Sequence, residues 1–138
     1  MSGRAGVEIH HWAQQGYQPL VFSHDWQVAL LNWEPIFDLQ QAGEIERHNR
    51  SDEVFVLVKG QAALFTLSTD GEFVVSEMVP HYIYNVTQGT WHNLIATRDA
   101  TWVIVENRCT HVDDTEVRPM TEDELSTLRQ GLPGWAKG

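Results

Sequence analysis

The sequence contains a single cysteine, Cys109, so no disulfide within the chain can staple it and its own core must hold the fold. A lone thiol agrees with a reducing compartment and reads as a tolerated surface residue. Basic residues are also scarce. Nine Lys and Arg stand against nineteen Asp and Glu, a formal charge of −10 that repels nucleic acid and anionic membrane and excludes both as main partners. No apolar run approaches the roughly 18 to 20 residues of a spanning helix. Residues 1–6 lack the apolar stretch of a secretory signal, and the expectation is a cytoplasmic protein. A Gly-rich phosphate loop, a dinucleotide fingerprint, a paired-Cys zinc spacing and a nucleophile-elbow serine are all missing. Hydride and phosphoryl chemistry thereby lose their usual supports.

What is present points to strands. Apolar residues make up 42% of the chain and six are Trp, enough for a core. The length suits one domain over residues 1–138, able to bury roughly two-thirds of the surface its unfolded form exposes. Short runs rich in β-branched and aromatic residues lie at 20–22, 27–33, 44–50, 54–59, 62–68, 72–79, 83–86, 91–96 and 101–106, with turn residues between them. Asp70-Gly71 is a hairpin signal, and Lys59-Gly60 is a second turn. Antiparallel pairing follows. Thr121 with Glu124 three residues on forms a capping box that predicts a helix over about 121–130, with Leu125 and Leu128 on one face. The tail at 131–138 is loose unless Trp135 docks on the barrel or on a partner.

Two stretches carry candidate chemistry. In the first, His48 is followed after four residues by Glu53, and Glu53 after six by Gly60. Strand parity puts Glu46 and His48 on one face, and Glu53 returns from the neighbouring strand, so two or three ligands converge. In the second, Gly89 and His92 stand in a turn that leads into a strand. Together, over roughly residues 40–107, they resemble the two motifs of the cupin family. Glu46 replaces the first motif's usual leading His. In the second motif Thr87 replaces the usual Pro, Ala96 stands where an Asn is common, and the leading Gly falls on His81. Residues 85–96 are also similar to small cupins described as lipopolysaccharide-biosynthesis metalloproteins.

The resemblance implies an all-β, double-stranded β-helix (jelly-roll) barrel with its core motifs at 43–107 and a short C-terminal helix. It also implies a metal held by His48, Glu53 and His92, with Glu46 as a fourth ligand or, if not a ligand, as the catalytic base. Imidazole and carboxylate donors suit Fe, Mn, Ni or Zn, and the sequence does not select among them. A site without metal, its two His satisfied by hydrogen bonds, is the alternative. Arg50 shares strand parity with His48 and is a candidate for binding a substrate carboxylate or phosphate; the competing reading pairs it with Asp52 or Glu53 in a solvated turn. Tyr82, Tyr84, His81 and His111 are candidates for the pocket mouth. The functional expectation is a metal-dependent isomerase, lyase or dioxygenase acting on a small sugar-derived or oxoacid substrate. A non-catalytic module that binds a sugar or carboxylate is the second reading. A homodimer is expected, with Trp12, Tyr17, Leu20 and Phe22 free to pair with another chain.

Overall fold

Along Trp26–Asn32, Glu53–Lys59 and Thr101–Asn107 every second residue is buried, the period of a strand with one face on a core. These three strands are adjacent in one sheet of the computed structural model, which describes residues 2–4 and 6–137. Residues 1, 5 and 138, included in the expected domain, lie outside the described residues.

The strands in chain order are β1 (Ser2–Arg4), β2 (Val7–Ile9), β3 (Gly16–Ser23), β4 (Trp26–Asn32), β5 (Glu44–Arg47), β6 (Glu53–Lys59), β7 (Ala62–Leu67), β8 (Phe73–Glu77), β9 (Tyr84–Val86), β10 (Trp91–Ala96), β11 (Thr101–Asn107) and β12 (Glu116–Pro119). The helices are α1 (Thr110–Asp113), α2 (Glu122–Gly131) and α3 (Gly134–Lys137). Two five-stranded antiparallel sheets, β3-β4-β11-β6-β9 and β12-β5-β10-β7-β8, make the body of the fold, and β1 and β2 form a separate hairpin. The expected strand at 44–50 stops at Arg47, the one at 20–22 extends to Gly16–Ser23, and β1, β2 and β12 are additional.

Between the sheets lies an apolar core with Trp102, Phe55, Leu57, Ile104 and Leu94. Trp102 is fully buried, meets Phe37 edge-on at 5.5 Å and donates its indole N–H to Met78 Sδ. A second cluster covers the other side of β7 and β10, where Ala63, Phe65 and Ile95 pack with Leu128 and Leu132 of the C-terminal segment. Both faces of β7 are therefore buried, which explains its unbroken Ala62–Phe65 apolar run. Thr121 caps α2 with the expected capping box, and Trp135 docks on the barrel by donating to Glu77 Oε2 at 2.8 Å.

Two turns fix the ends of the strands. Gly60 has φ +80°, and a Cβ there would lie 2.7 Å from the Ala100 backbone, so the close approach of these two turns requires glycine. Asp70-Gly71 closes the β7–β8 hairpin as expected, with the Gly71 amide donating to the Ser68 carbonyl.

Candidate metal centre

The inner face of the β4-β11-β6 sheet changes character along its length. Leu31, Trp102 and Leu57 align across the three strands, then Ala29, Ile104 and Phe55, and the next row is Gln27, Glu106 and Glu53. All three polar residues of that row are at most 5% exposed. Glu53 therefore projects from one sheet, while His92 and Glu46, paired on β10 and β5, project from the other. The neighbouring strand expected to bring Glu53 to Glu46 and His48 belongs to the facing sheet, so the cluster bridges the two layers of the fold.

One ligand-type atom from each of Glu46, His48, Glu53 and His92 lies within 4.8 Å of the others. The Nε2 atoms of His48 and His92 stand 2.9 Å and 3.0 Å from the same oxygen, Glu53 Oε1, and Glu46 Oε2 stands 3.5 Å from His48 Nε2. On the far side of each ring, Nδ1 faces a backbone carbonyl, Asp114 O at 2.7 Å for His48 and Thr90 O at 3.0 Å for His92. A carbonyl only accepts, so both Nδ1 atoms carry the proton and both Nε2 atoms face the cluster. This outer hydrogen bond fixes ring orientation and tautomer as it does in metal sites.

Two Nε2 atoms this close to one carboxylate oxygen are compatible only with a positive charge between or on them. Without metal, that charge comes from protonation. Burial lowers the His48 imidazole, but the hydrogen bond and charge of Glu53 outweigh it and hold it at about 9. His92 is raised by the same partner against the same burial penalty. Glu53 would be pushed up by burial, yet the two imidazoles hold it well below the usual carboxylate range. A divalent ion replaces the two Nε2 protons charge for charge. An ion bound by N and O at about 2.0–2.2 Å sets adjacent donors roughly 3.0–3.5 Å apart, close to the 2.9 Å, 3.0 Å and 3.5 Å that separate Glu53 from the two imidazoles and Glu46 from His48. The donor set thus fits a first-row divalent metal.

The cluster opens on a cavity of about 270 Å³ lined also by Tyr17, Glu106, His111 and Phe55. Burial first, then the neighbouring Glu53 charge, pushes the Glu106 carboxyl up to about 9. Its Oε2 is buried without a hydrogen-bond partner. Gln27 braces the wall beside it, donating to the Tyr17 hydroxyl at 2.9 Å and to His111 Nδ1 at 3.2 Å, while its own oxygen accepts from the Cys109 amide.

The four metal-ligand candidates are thus brought together, and His111 lines the cavity with them. Arg50 is not among the lining residues. The strand ends before it, its guanidinium donates to the Asp113 carbonyl and approaches Asp114 Oδ1 at 3.8 Å, and its side chain is 67% exposed. Tyr82 is exposed, and Tyr84 turns its hydroxyl to the Val79 amide, so neither reaches the cavity. Glu106 and Gln27 escaped the sequence reading. Their signal was parity, since Glu106 falls in step with Trp102 and Ile104, and Gln27 with Ala29 and Leu31.

No family model matches the chain, and no curated protein matches it in sequence. Solved structures do match. A cupin-2 domain protein of Shewanella frigidimarina is 20% identical at a TM-score of 0.51, over 70% of this chain and 85% of that one. A Bacillus halodurans protein is 18% identical at 0.55, over 69% and 71%. Oxalate decarboxylase of Bacillus subtilis, a protein with Mn(II) centres, is 12% identical at 0.52 over 71% of this chain. The chain spans 26% of that enzyme's length.

Proposed function

We propose, from the premise that this chain has the cupin fold, that it is a metal-dependent enzyme acting on a small oxygen-bearing substrate, in a reaction of isomerase, lyase or dioxygenase type. The observation that carries the reading is the convergence of two imidazole Nε2 atoms on Glu53 Oε1, each ring locked from behind by a backbone carbonyl. His48, Glu53 and His92, all at least nine-tenths buried, would hold the ion. A bound divalent ion supplies Lewis acidity toward a substrate oxygen. Glu46 has a side chain 36% exposed and a carboxyl raised, by burial first, above its ordinary value. Those properties suit a group that takes and returns a proton next to the ion. Of the two substrate classes expected, the sugar-derived one agrees better with a cavity whose lining has no Lys or Arg among the described residues.

Elemental analysis of chain purified without chelators is the test. About one transition-metal ion per chain is expected, lost in Glu53→Ala and in His92→Ala. A chain that stays metal-free when dialysed against Mn²⁺, Fe²⁺, Ni²⁺ and Zn²⁺ would sink the reading in favour of a non-catalytic binding module.

A further inference from the structure

The cavity beside the cluster is lined by few hydrogen-bond donors, and most of them are already engaged. Asn93 turns its side-chain amide to the Glu44 carbonyl, and Thr115 gives its hydroxyl to the Thr110 carbonyl. The Tyr17 hydroxyl accepts from Gln27 and turns its own hydrogen to the Glu106 carboxyl. His48 and His92 donate from Nδ1 to the backbone carbonyls behind them. His111 is the remaining donor side chain, and Gln27 fixes which of its nitrogens carries the proton. The Cys109 backbone N–H can only donate, so the Gln27 atom it faces at 3.2 Å is the amide oxygen. Both hydrogens on Nε2 of this fully buried amide therefore point the other way, to the Tyr17 hydroxyl at 2.9 Å and to His111 Nδ1 at 3.2 Å. A ring nitrogen that accepts is unprotonated, so the neutral imidazole of His111 carries its proton on Nε2. That N–H has no protein acceptor among the described residues. The short helix that carries the ring is anchored as well. Asp114, which follows it, takes the amides of Asn49 and Arg50 on its carboxylate and holds His48 with its carbonyl.

We infer that His111 is a specificity-determining residue of this cavity, whose Nε2–H donates to a carbonyl or hydroxyl oxygen of a short ligand that presents a second oxygen to the His48–Glu53–His92 cluster. The place of that second oxygen rests on the metal reading; the role of His111 does not. Gln27 and Glu53 flank Glu106 on the strands to either side, about 10 Å apart at the ordinary strand spacing. A ligand of about three or four carbons with an oxygen at each end matches that span once a metal–oxygen bond and a hydrogen bond are added.

The test uses two probes of the same shape, 4-hydroxybutan-2-one and 3-methylbutan-1-ol, in which a carbonyl oxygen of the first stands where the second has a methyl group. Equilibrium dialysis establishes Zn²⁺ stoichiometry, and both probes are then titrated into the Zn²⁺-loaded chain by NMR. The affinity ratio, ketone over alcohol, is expected to fall about fivefold in His111→Ala, the effect of one neutral hydrogen bond. In His111→Gln, whose amide N–H reaches near the place of Nε2, the ratio is expected to stay within about twofold of wild type. His111 is exposed, so neither variant threatens the fold. Long-range ¹H–¹⁵N correlation at mildly alkaline pH is expected to show His111 protonated on Nε2 in the wild-type chain. In Gln27→Glu, where an acceptor replaces the amide donor, the proton is expected to move to Nδ1; if that buried change prevents folding, the wild-type tautomer and the two His111 variants decide without it. The proposal is overturned if wild-type His111 is protonated on Nδ1, if a folded Gln27→Glu keeps the wild-type tautomer, or if neither probe binds the wild-type chain. An unchanged ratio in His111→Ala, or a ratio in His111→Gln that falls as far as in His111→Ala, overturns it equally. Should dialysis show no Zn²⁺, the metal reading alone fails, and the tautomer and the ratio measured on the metal-free chain still decide the role of His111.

Discussion

The Gly89 amide donates to the His48 carbonyl across 2.7 Å, joining the turn that leads to one imidazole to the segment that carries the other. Gly89 has φ +80°, and a Cβ there would meet nothing nearer than Thr69 Cγ2 at 3.9 Å, so Gly89→Ala perturbs backbone conformation without a clash. A left-handed backbone costs an L residue about 1–2 kcal/mol. Part of that cost is relieved by shifting the turn, and the His48 carbonyl shifts with it. Urea denaturation of Gly89→Ala is expected to show a loss of about 1 kcal/mol. Its metal affinity should fall about tenfold, the lower end of what disturbed outer contacts do to a site. Wild-type affinity in the folded variant would mean that the two segments are held independently.

The site was legible in the sequence where strand parity and turn chemistry both acted. His92 follows a turn whose glycine, Gly89, could be read, Glu53 stands at a fixed spacing between His48 and Gly60, and Glu46 shares parity with His48. Arg50 was placed by the same parity rule carried too far, because β5 ends at Arg47 and the chain then turns to receive the Asp114 carboxylate at the amides of Asn49 and Arg50. β12 gave little signal since Glu116–Pro119 has one aliphatic residue and sits at a sheet edge, where half of its backbone groups need no partner. Glu106 and Gln27 were passed over for a different reason. A carboxylate on a core-facing position reads as the exposed end of a strand, and only the alignment of three strands shows it to be a wall of the cavity.

Acid sensitivity of the C-terminal helix follows from its cap. Glu124 receives two guanidinium bonds from Arg118, each 2.9 Å, and accepts from the Thr121 amide. The Arg118 hydrogen bonds, outweighing a smaller burial penalty, lower its carboxyl from 4.5 to about 2. A depressed acid contributes stability that is fully present above 4.5 and is lost as pH falls toward 2. Glu124→Gln is therefore expected to be less stable than wild type at pH 6, with the gap closing between pH 4.5 and 2 in thermal melts of both chains. Thr121→Ala, which removes the other half of the box, should cost about 1 kcal/mol at neutral pH. A gap for Glu124→Gln that does not narrow in acid would assign its role to packing instead of charge.

Removing either imidazole should abolish metal binding and leave the sheets intact. The apolar rows built on Trp102, Ile104, Phe55 and Leu57 lie along the same inner face and do not depend on the polar row at its end. His48→Ala and His92→Ala are expected to keep wild-type far-UV circular dichroism, with melting temperatures lowered by less than about ten degrees. If His92→Ala loses more than that while still binding metal, His92 is a core residue that happens to face the cluster.

The two sheets differ in what covers their outer faces, and that difference bears on assembly. The C-terminal segment packs Leu128, Leu132 and Trp135 over β7 and β10, whereas the outer face of β4, β11 and β6 carries partly exposed Val54, Val56, Val103 and Val105, with Val58 and Trp26 at its ends. Aliphatic rows of this kind on a partly exposed sheet face suit an interaction surface, and a two-fold symmetric pair is the commonest way for a chain to cover one. The aromatic N-terminal residues expected to make the contact are less suited to it, because Tyr17 turns inward to Gln27 and the cavity, leaving Phe22 as the exposed member. Light scattering at micromolar concentration is expected to give twice the 15.8 kDa of one chain. Val56→Lys and Val105→Lys, on the paired strands β6 and β11 with Val103 and Val54 opposite them, should each shift the population to monomer without changing the circular dichroism. A monomeric wild-type chain would defeat the idea outright; a dimer untouched by both lysines would move the interface to the β3 edge, where Phe22→Asp would then have to break it.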